Sequence, residues 1–151
     1  MAVTTTTHLN FRGTARAALE HYQEVFGGTL SIATYADAGA VEDPAEADHV
    51  IWGEVRSDVG FHVMAFDVPG SRPWDAGTDA FYVSVRGEST EEIAALWQRL
   101  AAGAAEDPAA GTAEGAVVVP LGPSGWAPLY GMVRDRFGVT WVLDVAAPYA
   151  G

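Results

Sequence analysis

Cysteine and lysine are both missing from this chain of 151 residues. Without cysteine there is no thiol nucleophile, no disulfide and no thiolate ligand for zinc or an iron–sulfur cluster. Without lysine, no Schiff base with a carbonyl substrate can form. The positive charge is correspondingly thin: eight arginines face twenty acidic residues, for a formal charge of −12. Nucleic acid and anionic membrane would be repelled, so neither is expected as a partner, and the long-range field favours cationic ones. No apolar run approaches the roughly 18 residues of a membrane span. Met1 to Thr7 has no basic region followed by an apolar one, so the chain reads as untargeted, soluble and cytoplasmic. Phosphate-binding glycine loops, nucleophile elbows and histidine-pair helix motifs are absent too; Gly27-Gly28 reads as a helix end.

What is present is 49% hydrophobic and 11% aromatic. That suffices for one domain burying roughly 70% of its unfolded-chain surface. It is also written twice. Gly53-Glu54-Val55-Arg56-Ser57-Asp58-Val59-Gly60 aligns without a gap on Gly131-Met132-Val133-Arg134-Asp135-Arg136-Phe137-Gly138, an offset of 78 (131 − 53). Upstream, Leu9-Asn10-Phe11-Arg12-Gly13 matches Val83-Ser84-Val85-Arg86-Gly87 at an offset of 74 (83 − 9). The expected fold is α+β, two tandem βαβββ modules forming a curved mixed sheet around a cleft, with the functional residues where strands of both copies face each other. The predicted boundaries are residues 1–68 for the first module, 69–78 for a Pro/Gly-rich linker and 79–151 for the second, within one domain.

Periodicity assigns the elements. Thr6–Phe11 alternates as a strand, and Ala15, Ala18, Leu19, Tyr22, Val25 and Phe26 mark one face of a helix opened by Gly13-Thr14 and closed by Gly27-Gly28. Strands follow over Thr29–Tyr35, Val50–Arg56 and Phe61–Phe66. The second copy predicts a strand over Ala80–Val85. Ser89 with Glu92 forms a capping box before a helix with Ile93, Leu96, Trp97 and Leu100 on its buried stripe, and Gly103 ends it. An acidic, alanine-rich loop over Ala104–Gly115 precedes strands at Ala116–Leu121, Leu129–Arg134 and Val139–Val145.

Each helix must cover the more apolar face of its sheet, which sorts the strand residues into two sets. Leu9/Phe11, Phe81/Val83/Val85, Ile51/Val55, Leu129/Val133, Phe61/Val63 and Val139/Trp141/Leu143 go under helices. The other face keeps Thr6, His8 and Asn10; Trp52, Glu54 and Arg56; His62, Met64 and Phe66; Ala80, Tyr82 and Ser84; Tyr130, Met132 and Arg134; and Thr140, Val142 and Asp144. Mixed polar and aromatic lining suits a small-molecule site.

Three segments resemble the vicinal oxygen chelate superfamily (glyoxalase I, bleomycin-resistance proteins, extradiol dioxygenases), and within it the PhnB-like proteins. They are His8-Leu9-Asn10-Phe11-Arg12-Gly13 with the following helix to Val25-Phe26-Gly27-Gly28, the Gly53–Asp67 strand pair, and Trp126 through Tyr130-Gly131, Arg134-Asp135, Phe137-Gly138 and Trp141. The resemblance implies paired βαβββ modules, a homodimer and a site inside the concave sheet. Metal-dependent members hold a divalent ion with one residue from the first and one from the last strand of each module. Carried over, those positions fall at Met64 and Val142, near Ala80, and at Thr6 or His8. Met, Val and Ala donate neither nitrogen nor oxygen, so no metal and no cofactor is expected. Trp52 stands where relatives often carry His, and Arg136 where they usually carry Pro.

The candidate catalytic residues are His8, Glu54 and His62, as an imidazole and carboxylate acid/base set. Both histidines have a structural alternative as hydrogen-bond partners of neighbouring strands, and Glu54 has one as an ion-pair partner of Arg56 or Arg134. The candidate ligand-binding residues are Trp52, Tyr82, Trp126 and Tyr130, whose flat faces stack on a planar molecule, and Arg134, which holds an anionic substituent. Trp126, in the Gly/Pro-rich loop Gly122–Pro128, carries the strongest case, and Trp74 in the linker a weaker one. The leading reading is metal-independent binding of a small planar ligand, cationic or of mixed charge. Its competitors are a metal-dependent lyase or isomerase with ligands drawn from His8, His62 and Glu54, and a purely structural dimerising module.

Overall fold

The computed structural model describes residues 2–102 and 115–147. Two compact units, residues 1–76 and 77–151, make up the chain. The first runs β1 (Thr7–Phe11), α1 (Ala15–Phe26), β2 (Thr29–Thr34), β3 (Val50–Arg56) and β4 (His62–Asp67). The second runs β5 (Val83–Gly87), α2 (Thr90–Leu100), β6 (Ala116–Gly122), β7 (Leu129–Arg134) and β8 (Thr140–Val145). The architecture is α+β, one βαβββ module in each unit. Strand order is β1-β4-β3-β2 in the first sheet and β5-β8-β7-β6 in the second. β1/β4 and β5/β8 are parallel and the remaining pairs antiparallel. The helix lies within the connection that each parallel pair requires.

Helix packing decides which sheet face is closed. Ala15, Ala18, Leu19, Tyr22 and Val25 of α1 are buried, as are Leu9, Phe11, Val55, Val63 and Ala65 of the strands beneath. In the second unit Ile93 and Leu100 of α2 are buried, with Val133, Trp141 and Leu143. Gly53 and Gly131 show why the repeat is anchored on glycine: a Cβ at Gly53 would run into Leu19 of α1, and one at Gly131 into Trp97 of α2. Only glycine lets each helix lie this close to its sheet.

The Asp135-x-Phe137-Gly138 signature is a turn with a hub. The Asp135 carboxylate accepts from Phe137 N at 2.9 Å, Val139 N at 3.0 Å and the indole Nε1 of Trp141 at 2.9 Å. In the first unit Ser57 does part of this work, its hydroxyl accepting from Val59 N at 3.3 Å and Phe61 N at 3.0 Å. Helix starts differ between the copies. Ser89 accepts from Glu92 N at 3.3 Å, as the capping box requires, whereas the Thr14 side chain caps nothing. Asp67, 2% exposed at the end of β4, takes over that role and accepts from Gly13 N, Ala15 N and Val50 N at 2.7, 3.1 and 2.9 Å.

Two expectations need correction. The strand expected over Ala80–Val85 forms over Val83–Gly87, which leaves Phe81 outside the sheet and 55% exposed rather than under a helix. The upstream repeat is accordingly shifted. Leu9 pairs with Ala65, and the equivalent partner Leu143 (65 + 78) pairs with Val85, so the first strands are offset by 76 (85 − 9), not 74. The Arg-Gly match at Arg12-Gly13 and Arg86-Gly87 was local; hydrogen-bond register, not that dipeptide, fixes the strand. The expected helix stop at Gly103 and the insertion through residue 114 lie outside the described residues. Among the described residues, no helix is long and apolar enough to cross a membrane.

Candidate functional site

On each sheet the helix-free face is a grid whose rows are set by strand register. In the first unit His8, Met64 and Glu54 share a row through the pairs His8–Met64 and Glu54–Met64. One step toward the start of β4, Thr6 lies beside His62, and His62 pairs with Arg56. One step the other way Asn10 pairs with Phe66, and Trp52 lies two residues before Glu54 on the same face of β3. The second unit repeats the pattern with Arg86, Asp144 and Tyr130 in one row, Ser84, Val142 and Met132 in the next, and Thr140 with Arg134 in the third.

Glu54 and His62 come together. His62 Nε2 donates to Glu54 Oε2 at 2.5 Å, and Thr6 Oγ1 lies 2.9 Å from His62 Nδ1. A neutral imidazole satisfies both bonds, giving a proton to Glu54 and accepting one from the Thr6 hydroxyl. Side chains of His62 and Glu54 keep 27% and 21% of their surface exposed, so the pair is reachable from solvent. Glu54 therefore pairs with His62 rather than with Arg56 or Arg134. His8 stands apart from this chain: its Nδ1 is 3.0 Å from Asn10 Oδ1 and its ring meets Phe66 edge-on at 5.2 Å. The partner that sequence reasoning missed is Thr6, named there only as an alternative to His8 at a metal position and not beside His62. Parallel register sets Thr6, not His8, opposite His62.

Of the aromatic candidates, Trp52 is 39% exposed on β3, and Trp126 is 67% exposed and edge-on to Tyr130 of β7, with ring centroids 5.2 Å apart. The Trp126 loop is pinned by Ser124, whose hydroxyl accepts from Ala127 N at 3.1 Å. Tyr82 precedes β5 and donates its hydroxyl to Asp79 at 3.1 Å, a bond that raises the phenol above its ordinary pKa. Arg134 lies on the helix-free face of β7, half-buried. Arg86 and Asp144 form a bidentate pair at 3.0 and 2.9 Å that raises the Arg86 pKa further; alternation put Asp144 on this face but did not reveal its partner. Trp74 donates its indole N–H to the Asn10 carbonyl at 3.2 Å. A cavity of about 10 Å³, lined by Tyr35, Val41, Glu46 and Pro69 among others, is water-sized and holds none of these residues.

The fold's metal positions can be tested on donor chemistry. Met64 and Val142 lie on the helix-free faces, offering a thioether and methyl groups, and Ser84 is the register equivalent of His8. Among the described residues no three or more His, Cys, Asp or Glu side chains gather to hold an ion. The residues do not fit a hard or borderline divalent metal.

Comparison with known proteins agrees with this architecture. Protein PA1353 from Pseudomonas aeruginosa superposes with a TM-score of 0.75 at 29% identity, over 96% of this chain and 98% of that one. A Bacillus cereus PhnB protein, described as a putative 3-demethylubiquinone-9 3-methyltransferase, gives 0.67 at 28% identity, over 95% and 100%. TioX from Micromonospora sp. ML1 shares the fold, with a TM-score of 0.54 at 20% identity over 95% and 100%. No curated protein matches. The family model for the Glyoxalase/Bleomycin resistance protein/Dioxygenase superfamily matches residues 7–143. With that match over most of its length, two βαβββ modules and a PhnB protein among its neighbours, the chain belongs to that superfamily.

Proposed function

We propose that this protein binds a small planar ligand on its helix-free sheet faces without a metal ion. The observation that carries the reading is Trp126, a large apolar ring left 67% exposed and edge-on to Tyr130. Exposed indole on a pinned loop offers a stacking surface at little ordering cost. Trp52 and Arg134 supply a further ring face and a cation on their own sheet faces, and Tyr82 a ring just before β5. The Bacillus relative's description names a demethylubiquinone, a molecule with a planar ring, which is in keeping with this ligand class. Titration of tryptophan fluorescence with a planar aromatic dye such as acridine orange tests it. Binding by the wild-type chain, weakened about tenfold in Trp126→Ala, is expected; equal affinity in Trp126→Ala and Tyr130→Ala contradicts the aromatic clamp.

The Thr6–His62–Glu54 chain favours a second reading, in which the first unit also moves a proton. Glu54, hydrogen-bonded to an oriented imidazole, is a base able to accept a proton from a ligand hydroxyl. Loss of turnover, without loss of ligand binding, in Glu54→Gln is the outcome this reading requires.

A further inference from the structure

The first unit's helix-free face has a cationic end. Arg72 has no carboxylate within ion-pair distance among the described residues, although the molecule carries a charge of −12. Its position is built rather than free. Arg12 donates to the carbonyls of Pro69, at 3.2 Å, and of Arg72 itself. Trp74, beneath the Arg12 guanidinium at 5.9 Å, bonds the Asn10 carbonyl on β1. With its backbone carbonyl so held, Arg72 places its exposed guanidinium 5.8 Å from the centre of the Phe66 ring, on the sheet face that also carries Trp52. The nearest acids bond the same segment without pairing the guanidinium: Glu42 accepts from the Ser71 hydroxyl and Glu46 from Gly70 N. Two residues along β3 from Trp52, on the same face, stands Glu54, bonded to His62 through one oxygen and with acceptor capacity left.

A cation, a flat ring and an acceptor in line define a ligand by its chemistry. Deepening the reading that the helix-free faces take planar molecules, we propose that this face binds a small planar carboxylate. Its carboxylate pairs with the Arg72 guanidinium, its ring lies against Trp52, and a hydroxyl or amine at the far end of the ring donates to Glu54. Arg72 thus offers an anion a pairing partner on a chain whose net charge would favour a cation.

Isothermal titration of the full chain at low salt, with 4-hydroxybenzoate as the probe, tests the assignment. Binding is expected, with affinity falling about tenfold or more in Arg72→Gln and falling with added salt as an exposed ion pair is screened. Benzoate, which lacks the donor, and 4-hydroxybenzyl alcohol, which lacks the charge, bind more weakly. No binding of 4-hydroxybenzoate at millimolar concentration overturns the proposal, as does equal affinity in Arg72→Gln or for the neutral alcohol. Trp126→Ala separates the two readings. If Trp126→Ala weakens dye binding while Arg72→Gln leaves 4-hydroxybenzoate unaffected, the planar-ligand reading stands and this assignment falls. If Arg72→Gln weakens 4-hydroxybenzoate while Trp126→Ala leaves the dye unaffected, the assignment stands and the Trp126 clamp falls.

Discussion

At the scale of single residues, two buried carboxylates hold more of the structure than any ion pair. Asp135 gathers three N–H groups at one turn, so Asp135→Ala leaves buried donors unpaired and is expected to cost about 2–4 kcal/mol in urea unfolding. Ser57→Ala, at the equivalent turn of the first unit, removes weaker neutral bonds and should cost about 1 kcal/mol. Tyr35 gives a pH signature. Burial holds its phenol above the ordinary value of 10.0, against the opposing charge of Arg72. Folding thus favours the neutral form: its contribution is full below pH 10 and is lost as pH rises through the folded-state value. Alkaline unfolding should therefore depend less steeply on pH in Tyr35→Phe; an unchanged slope contradicts this. Alternation alone put Glu54 and His62 on one face, because side-chain period is a local property. It led to His8 rather than Thr6 as the third member, because that choice depends on the register of two strands more than 50 residues apart. Arg72 was illegible for a similar reason: it belongs to a segment read only as linker.

Elements were legible wherever a period or a cap was strong. The stripe of α1 and the Ser89–Glu92 box of α2 appear as read, and β3 and β7 have the expected bounds. The start of β5 was misread because Ala80–Val85 alternates as convincingly as Val83–Gly87, and only pairing with β8 decides between them. The cap of α1 by Asp67 was missed since its two partners are remote in sequence. What the sequence did show, without explaining it, was the repeated glycine at 53 and 131. Gly53→Ala forces Leu19 or the β3 backbone to move, and a loss of roughly 1–3 kcal/mol in thermal or urea unfolding is expected. A stability within error of the wild type means that α1 does not press on β3 as described.

For the molecule as a whole, duplication and charge are the governing facts. With a formal charge of −12 and few ion pairs among the described residues, self-repulsion opposes folding. The melting temperature should rise as salt is added from low ionic strength, where an Arg-rich, acid-paired surface would show the reverse. The two copies have also diverged in chemistry. The Thr6–His62–Glu54 chain of the first unit has no match at Thr140 and Met132 of the second, and Arg86–Asp144 has none at Asn10 and Phe66. The positions that the resemblance assigns to a metal carry Met64 and Val142, which makes independence from metal the proposal on which the functional account rests. Its most direct test is ligand titration of the wild-type chain before and after exhaustive dialysis against a chelator. The account predicts the same affinity in both; affinity lost on chelation and restored by a divalent cation would contradict it.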